Sequence, residues 1–100
     1  MCGLRITKLS DQIVAQKERI QMTEADRIVK ISVENQGTLT VMTTLNGGEQ
    51  GIAQLLPGQE VEYFINGSIL TGSLLIDFVG GAGTQAALVT KAYDVGELCE

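Results

Sequence analysis

The stretch RIVKISVENQGTLTVMTTLNGG, residues 27–48, decides the fold. Val29, Ile31 and Val33 alternate with Lys30, Ser32 and Glu34, so a strand over residues 27–35 buries one face and wets the other. Asn35-Gln36-Gly37 then turns the chain. Residues 38–45 set Leu39, Val41 and Leu45 against Thr38, Thr40 and Thr44, a β-branched composition that suits a half-buried strand. Asn46-Gly47-Gly48 closes the stretch, and Asn-Gly is a strong hairpin signal because both residues accept positive φ.

The same texture continues toward the C-terminus. A short strand is expected over residues 51–55, followed by Leu56-Pro57-Gly58-Gln59, in which Pro presets φ and Gly takes the positive-φ position of a type II turn. Residues 60–66 place Val61, Tyr63 and Ile65 opposite Glu62, Phe64 and Asn66, so whichever face is core takes an aromatic. Residues 73–79 direct Leu74, Ile76 and Phe78 inward and Ser73 and Asp77 outward, and a loose Gly-rich loop over residues 80–84 leads to a last strand over 86–93. There, Leu88 or Val89 sets the buried face.

Toward the N-terminus the pattern weakens. Residues 4–9 alternate as a strand, but Ile13, Val14, Ile20 and Met22 fit neither period cleanly. A helix capped by Ser10 competes with two short strands, and strands are preferred because Thr23-Glu24-Ala25-Asp26 then joins residues 19–22 to 27–33 as a hairpin. The expectation is an all-β chain: a single small β-sandwich over residues 1–100, jelly-roll or immunoglobulin-like, with seven to eight short antiparallel strands. Residues 1–9 are read either as part of the sheet or as an extended arm.

Composition bounds the function. One hundred residues, 44% of them apolar, supply one core, and about two thirds of the unfolded chain's surface is buried at this size. Seven Lys and Arg against twelve Asp and Glu give a net charge of -5, the wrong sign for neutralising phosphates, so no nucleic acid partner is expected. The longest apolar runs, such as residues 86–89, are far short of the roughly 20 residues of a membrane helix, so no membrane partner is expected either. The start, Met1-Cys2-Gly3-Leu4-Arg5, has no apolar signal-peptide region, which leads to the expectation of no secretion and a cytosolic site of synthesis and residence. Cys2 and Cys99 lie one residue from either end. An end-to-end disulfide, worth about 4–5 kcal/mol on chain-entropy grounds, and a pair of free thiols in a reducing compartment both remain open.

Motifs for chemistry fail on context. Gly81-Ala82-Gly83-Thr84-Gln85-Ala86 has dinucleotide-binding spacing, but only fourteen residues follow, too few for a helix, a strand and a ribose-binding acid. Asn66-Gly67-Ser68 is a glycosylation sequon that a turn already explains. With no His there is no usual base for a Cys nucleophile, and the twelve carboxylates are scattered. No catalytic, cofactor-binding or metal-binding residue is assigned, and an enzyme is not expected. Sugar binding stacks rings on exposed aromatics, for which Tyr63, Phe64 and Tyr93 are the candidates.

What remains is association. Ile69 and Leu70 lie between turn glycines, and Leu55 and Leu56 precede the Pro57-Gly58 turn; they either cap the sandwich or meet a partner. Thr38, Thr40, Thr43 and Thr44 form a Thr-rich face or a strand edge open to strand addition. Leu4, Ile6, Leu55, Leu56, Ile69 and Leu70 are the interface candidates.

Residues 33–41 and 56–63, a strand, an N-x-G turn, a second strand and a PGQ turn, resemble small β-sandwich accessory proteins of tailed-phage virions, the decoration and cement proteins and head-fibre bases. Residues 72–78 and the Gly-rich loop extend the likeness. The resemblance carries over no functional residue. It implies an inert, acidic sandwich that trimerises or sits on capsid symmetry axes, contacts coat subunits and resides in a virion assembled in the host cytoplasm. A receptor- or carbohydrate-binding module is the alternative.

Overall fold

Eight strands carry the chain: β1 (Cys2–Val14), β2 (Glu18–Met22), β3 (Ile28–Asn35), β4 (Thr40–Leu45), β5 (Gly51–Leu55), β6 (Glu60–Phe64), β7 (Gly72–Val79) and β8 (Ala87–Cys99). The computed structural model describes residues 2–48, 51–64 and 69–99, with the backbone alone at 2–6, 48 and 97–99. The predicted hairpin at Asn46-Gly47 is present, with φ of 51° and 67° at the two residues, and it pairs β4 with β5. From this turn the pairing nests outward: β3 with β6, β2 with β7, β1 with β8, all antiparallel. Successive pairs fall in alternate sheets, giving the orders β1-β8-β3-β6 and β2-β7-β4-β5. That wrapping is a jelly roll. It necessarily makes the first and last strands neighbours.

Consecutive strands therefore change sheets at most connections, which corrects one expectation. Residues 19–22 and 27–33 are not a hairpin, because β2 pairs with β7 in one sheet and β3 with β6 and β8 in the other. A single 3₁₀ turn, Glu24–Asp26, carries the chain across. The strands are also not uniformly short, since β1 and β8 run to thirteen residues each. No helix forms at Ser10; β1 passes straight through it.

The core lies between the sheets. Val14, Ile28, Ile31, Val33, Tyr63, Ala87 and Val89 face it from one side, and Ile20, Met22, Val41, Leu45, Leu55, Leu74 and Ile76 from the other. Val29 is only half-buried. A bulge between Ile28 and Lys30 leaves Val29 out of register, and Ile28 takes the core position. Phe78 packs on the core as expected, and Val89, not Leu88, sets the buried face of β8.

Two polar residues, Thr43 and Asn35, are fully buried with it. Thr43 points inward from β4, a central strand, so it belongs to no Thr-rich edge; its hydroxyl meets the Tyr63 hydroxyl across the sandwich at 2.7 Å. Thr43→Val is expected to cost about 1–2 kcal/mol in urea denaturation, because a buried phenol loses its partner. Adding Tyr63→Phe should recover most of that loss. Asn35, 1% exposed, holds three connections together. Its amide donates to the Leu39 and Leu55 carbonyls at 2.6 and 2.9 Å, and its side-chain oxygen accepts from the Gly37 N–H at 3.0 Å. Its backbone bonds the Gly58 N–H and the Gln59 carbonyl, fastening the predicted turn, where Gly58 has φ 87° and the Gln59 N–H reaches the Leu56 carbonyl at 2.9 Å.

The Gly-rich loop is stapled down rather than loose. Thr84 accepts from the Thr38 and Leu39 N–H groups, and its own N–H donates to the Thr38 hydroxyl at 2.8 Å. Gly37 makes this approach possible, since a Cβ there would collide with the Thr84 carbonyl. A strand, not a helix, follows Ala86, so the GxGxxA spacing has no phosphate-binding context.

Candidate assembly site

The outermost pair of a jelly roll has no obligation to stop where the sandwich stops. β3 follows β8 only as far as Tyr93, with one further bond from the Asp94 N–H to the Arg27 carbonyl. Beyond it, β8 is laddered to β1 alone: Ile6 opposite Gly96, Arg5 opposite Glu97, Leu4 opposite Leu98 and Cys2 opposite Cys99. The result is a two-stranded ribbon about 20 Å long at the usual rise per residue. It accounts for an elongated molecule of 55 × 24 × 18 Å. The two cysteines, far apart in sequence, are register partners in the last described rung.

The base of the ribbon is clamped. Arg27 adopts the left-handed conformation with φ 57°, which aims its guanidinium at Asp94: Nη2 lies 3.0 Å from Oδ2, and Nε donates to the Asp94 carbonyl at 3.2 Å. The other Asp94 carboxylate oxygen accepts from the Gly96 N–H at 3.0 Å, across a bulge that leaves Val95 out of register. A shallow groove of about 630 Å³ opens beside this clamp, lined by Lys8, Ser10, Asp26, Arg27, Tyr93 and Asp94. Asp26 is held below the usual carboxylate range by the Thr23 backbone N–H and then by the Thr23 hydroxyl, both bonded to it. Asp26, Arg27 and Asp94 are thus engaged within the fold. Among the described residues no group of three or more His, Cys, Asp or Glu could hold a metal ion.

β1 is an edge strand of a particular kind. The edge strands β2, β5 and β6 are five residues long, whereas β1 offers a thirteen-residue unpaired edge. Long open edges are the feature that soluble proteins usually blunt. Every side chain from residue 7 to residue 13 is exposed, on both faces of the strand, Leu9 at 65% and Ile13 at 56%. Among the described side chains of β1, Val14 alone enters the core.

The candidate residues separate accordingly. Leu55 and Leu70 are buried, Leu70 with its N–H on the Ile28 carbonyl, so both serve the core and offer no contact surface. Leu56 is exposed and Ile69 half-buried. Leu4 and Ile6 stand in the ribbon, with side chains outside the described residues, as is the whole Asn66-Gly67-Ser68 sequon. Of the aromatics, Tyr63 is bonded inside and Tyr93 packs on the core, which leaves Phe64 as the exposed one of the three. Leu9 and Ile13 were not singled out by the sequence. The signal was the alternation of Leu9, Asp11 and Ile13 with Lys8, Ser10 and Gln12, masked because inward Val14 directly follows outward Ile13.

The described residues thus form a jelly roll with a two-stranded ribbon at one end and a long open edge strand. Among solved structures, the chain is similar to a protein of Bacillus endospore appendages, described as a novel family of disulfide-linked pili, at 15% identity over 94% of this chain and 93% of that one, with a TM-score of 0.51. At that identity the likeness is one of fold. No protein-family model matches the sequence, and no curated protein matches it. Nothing in these comparisons supports the tailed-phage resemblance.

Proposed function

We propose that the chain is a non-catalytic structural subunit that joins to copies of itself in an extended, disulfide-linked polymer. The observation that carries this reading is the ribbon, which lifts Cys2 and Cys99 together beyond the sandwich at the end of an unpaired thirteen-residue edge. Strand pairing along that edge supplies cohesion between copies, and cysteines at the ribbon tip supply covalent links. Each link joins two thiols, with loss of two protons and two electrons to dioxygen or a small disulfide. The likeness to a pilus protein of the same extent supports the polymer over a capsid-bound trimer. Disulfide links of this kind persist in an oxidising setting and not in a reducing cytosol.

Light scattering on the full chain after gel filtration tests the reading. Oxidised protein should elute as multiples of the monomer that collapse when reductant is added. A monomer of unchanged mass in both conditions contradicts it, and a discrete trimer indifferent to reductant would favour the decoration-protein reading.

A further inference from the structure

We propose that β1 is an exchangeable strand: in the assembled protein, β1 of one copy leaves its own β8 and pairs, in the same register, with β8 of the next. The inference rests on the self-assembly reading and moves its contact from the open edge of β1 to the edge that faces β8.

The first argument is what β1 would give up. Residues 7–13 bury no side chain, so releasing β1 takes only Val14, among the strand's described side chains, out of the core. Among the described residues it breaks the ladder to β8 and the side-chain bonds from Thr90 to Asp11 at 2.9 Å and from Gln12 to Glu18 at 3.2 Å. Separation has a natural starting point at the ribbon tip, where two strands pair with no third beside them, an arrangement marginal in water.

The second argument is what β8 would then need. Stripped of β1, a central strand becomes an edge with a row of unpaired donors and acceptors, which must be paired or solvated. The sequence best fitted to that edge is β1 itself. In the native register a second copy restores Asp11 against Thr90 and Val14 against Ala87, so closed and exchanged forms share their contacts.

The third is the connection. Ala15-Gln16-Lys17, all exposed, is a three-residue link crossing from one sheet to the other. Short links of this type favour exchange, because straightening them relieves a tight crossing. Passed from copy to copy in one direction, the exchange does not close on itself and builds a filament, with each subunit held by a full ladder loaded along its length.

Cross-linking between positions that are opposite only within the β1–β8 ladder tests this. Leu9 faces Ala92 and Ser10 faces Lys91, and one of two successive rungs is non-hydrogen-bonded, the geometry in which paired cysteines come closest. With Cys2 and Cys99 changed to Ser, chains bearing Ser10→Cys are refolded together with chains bearing Lys91→Cys, and likewise Leu9→Cys with Ala92→Cys, then oxidised. Chains carrying both changes of a pair control for closure within one molecule. The mixtures are repeated with Cys2 and Cys99 retained, reading the junction peptide by mass spectrometry, so that loss of the terminal cysteines is not mistaken for loss of exchange. Exchange predicts a species of doubled mass containing one chain of each type, joined at the ladder position. Assembly without that junction in either pair, while the control closes, overturns the exchange and leaves the self-assembly reading standing. Absence of assembly in every mixture overturns both.

Discussion

Asn35→Ala is expected to lower stability by about 3–5 kcal/mol, a large share of what a domain this size possesses. Three hydrogen bonds to the side chain disappear at once, and the Leu39 carbonyl, the Leu55 carbonyl and the Gly37 N–H lose a partner in a site 1% exposed. The damage spreads, because the same residue couples the turn after β3 to the end of β5 and to the Pro57-Gly58 turn. Asn35→Asp discriminates between loss of packing and loss of hydrogen bonding. At neutral pH it sets a carboxylate against two carbonyl oxygens, a worse substitution than Ala despite near-identical shape. Burial raises the pKa of that carboxyl in the folded state, so the variant should regain stability relative to wild type as pH falls, when the protonated acid can donate one of the lost bonds. Equilibrium denaturation at two pH values reads both effects. A loss below about 1 kcal/mol for Asn35→Ala would mean that water satisfies the three groups and that the knot is peripheral.

Deleting residues 1–9 is expected to abolish self-association while leaving a folded sandwich. The deletion removes the ribbon limb and the exposed Leu9 but keeps Ser10 to Val14, including the one described residue of β1 that reaches the core. Since β8 continues to pair with β3 through Tyr93, the unfolding free energy should fall little, by less than about 1 kcal/mol. The mass in solution should fall to that of a monomer with or without oxidant. A truncated chain that still assembles would shift the contact to the outer faces of the sheets, where Ile52, Phe64 and Val79 are exposed.

Legibility in the sequence followed the range of the interactions. Residues 28–35, 40–45 and 60–64 read correctly as strands because period two and turn chemistry are local, and Asn46-Gly47 and Pro57-Gly58 fold as their φ preferences require. Strand order did not read, since jelly-roll and immunoglobulin-like sandwiches impose the same alternation and differ only in pairings such as Gln12 with Val89. The false hairpin across residues 23–26 came from that blindness: a turn between two amphipathic strands looks alike whether the second returns beside the first or crosses to the facing sheet. Asn35 read as the end of a strand and the start of a turn, and its burial depends on Leu55 and Gly58 arriving from elsewhere. Thr43 is inward because Tyr63 waits for it in the other sheet. Of the candidate site, the cysteines were legible as end residues but their place in the last rung was not, and the Arg27–Asp94 clamp joins positions 67 residues apart that carry no mutual signal.

Whether this jelly roll is a unit of a polymer is decided by electron micrographs of the purified 100-residue chain after oxidation. The account predicts filaments of uniform width that shorten or disperse when reductant is added. A field of discrete particles of monomer or trimer size, unchanged by reductant, would contradict it.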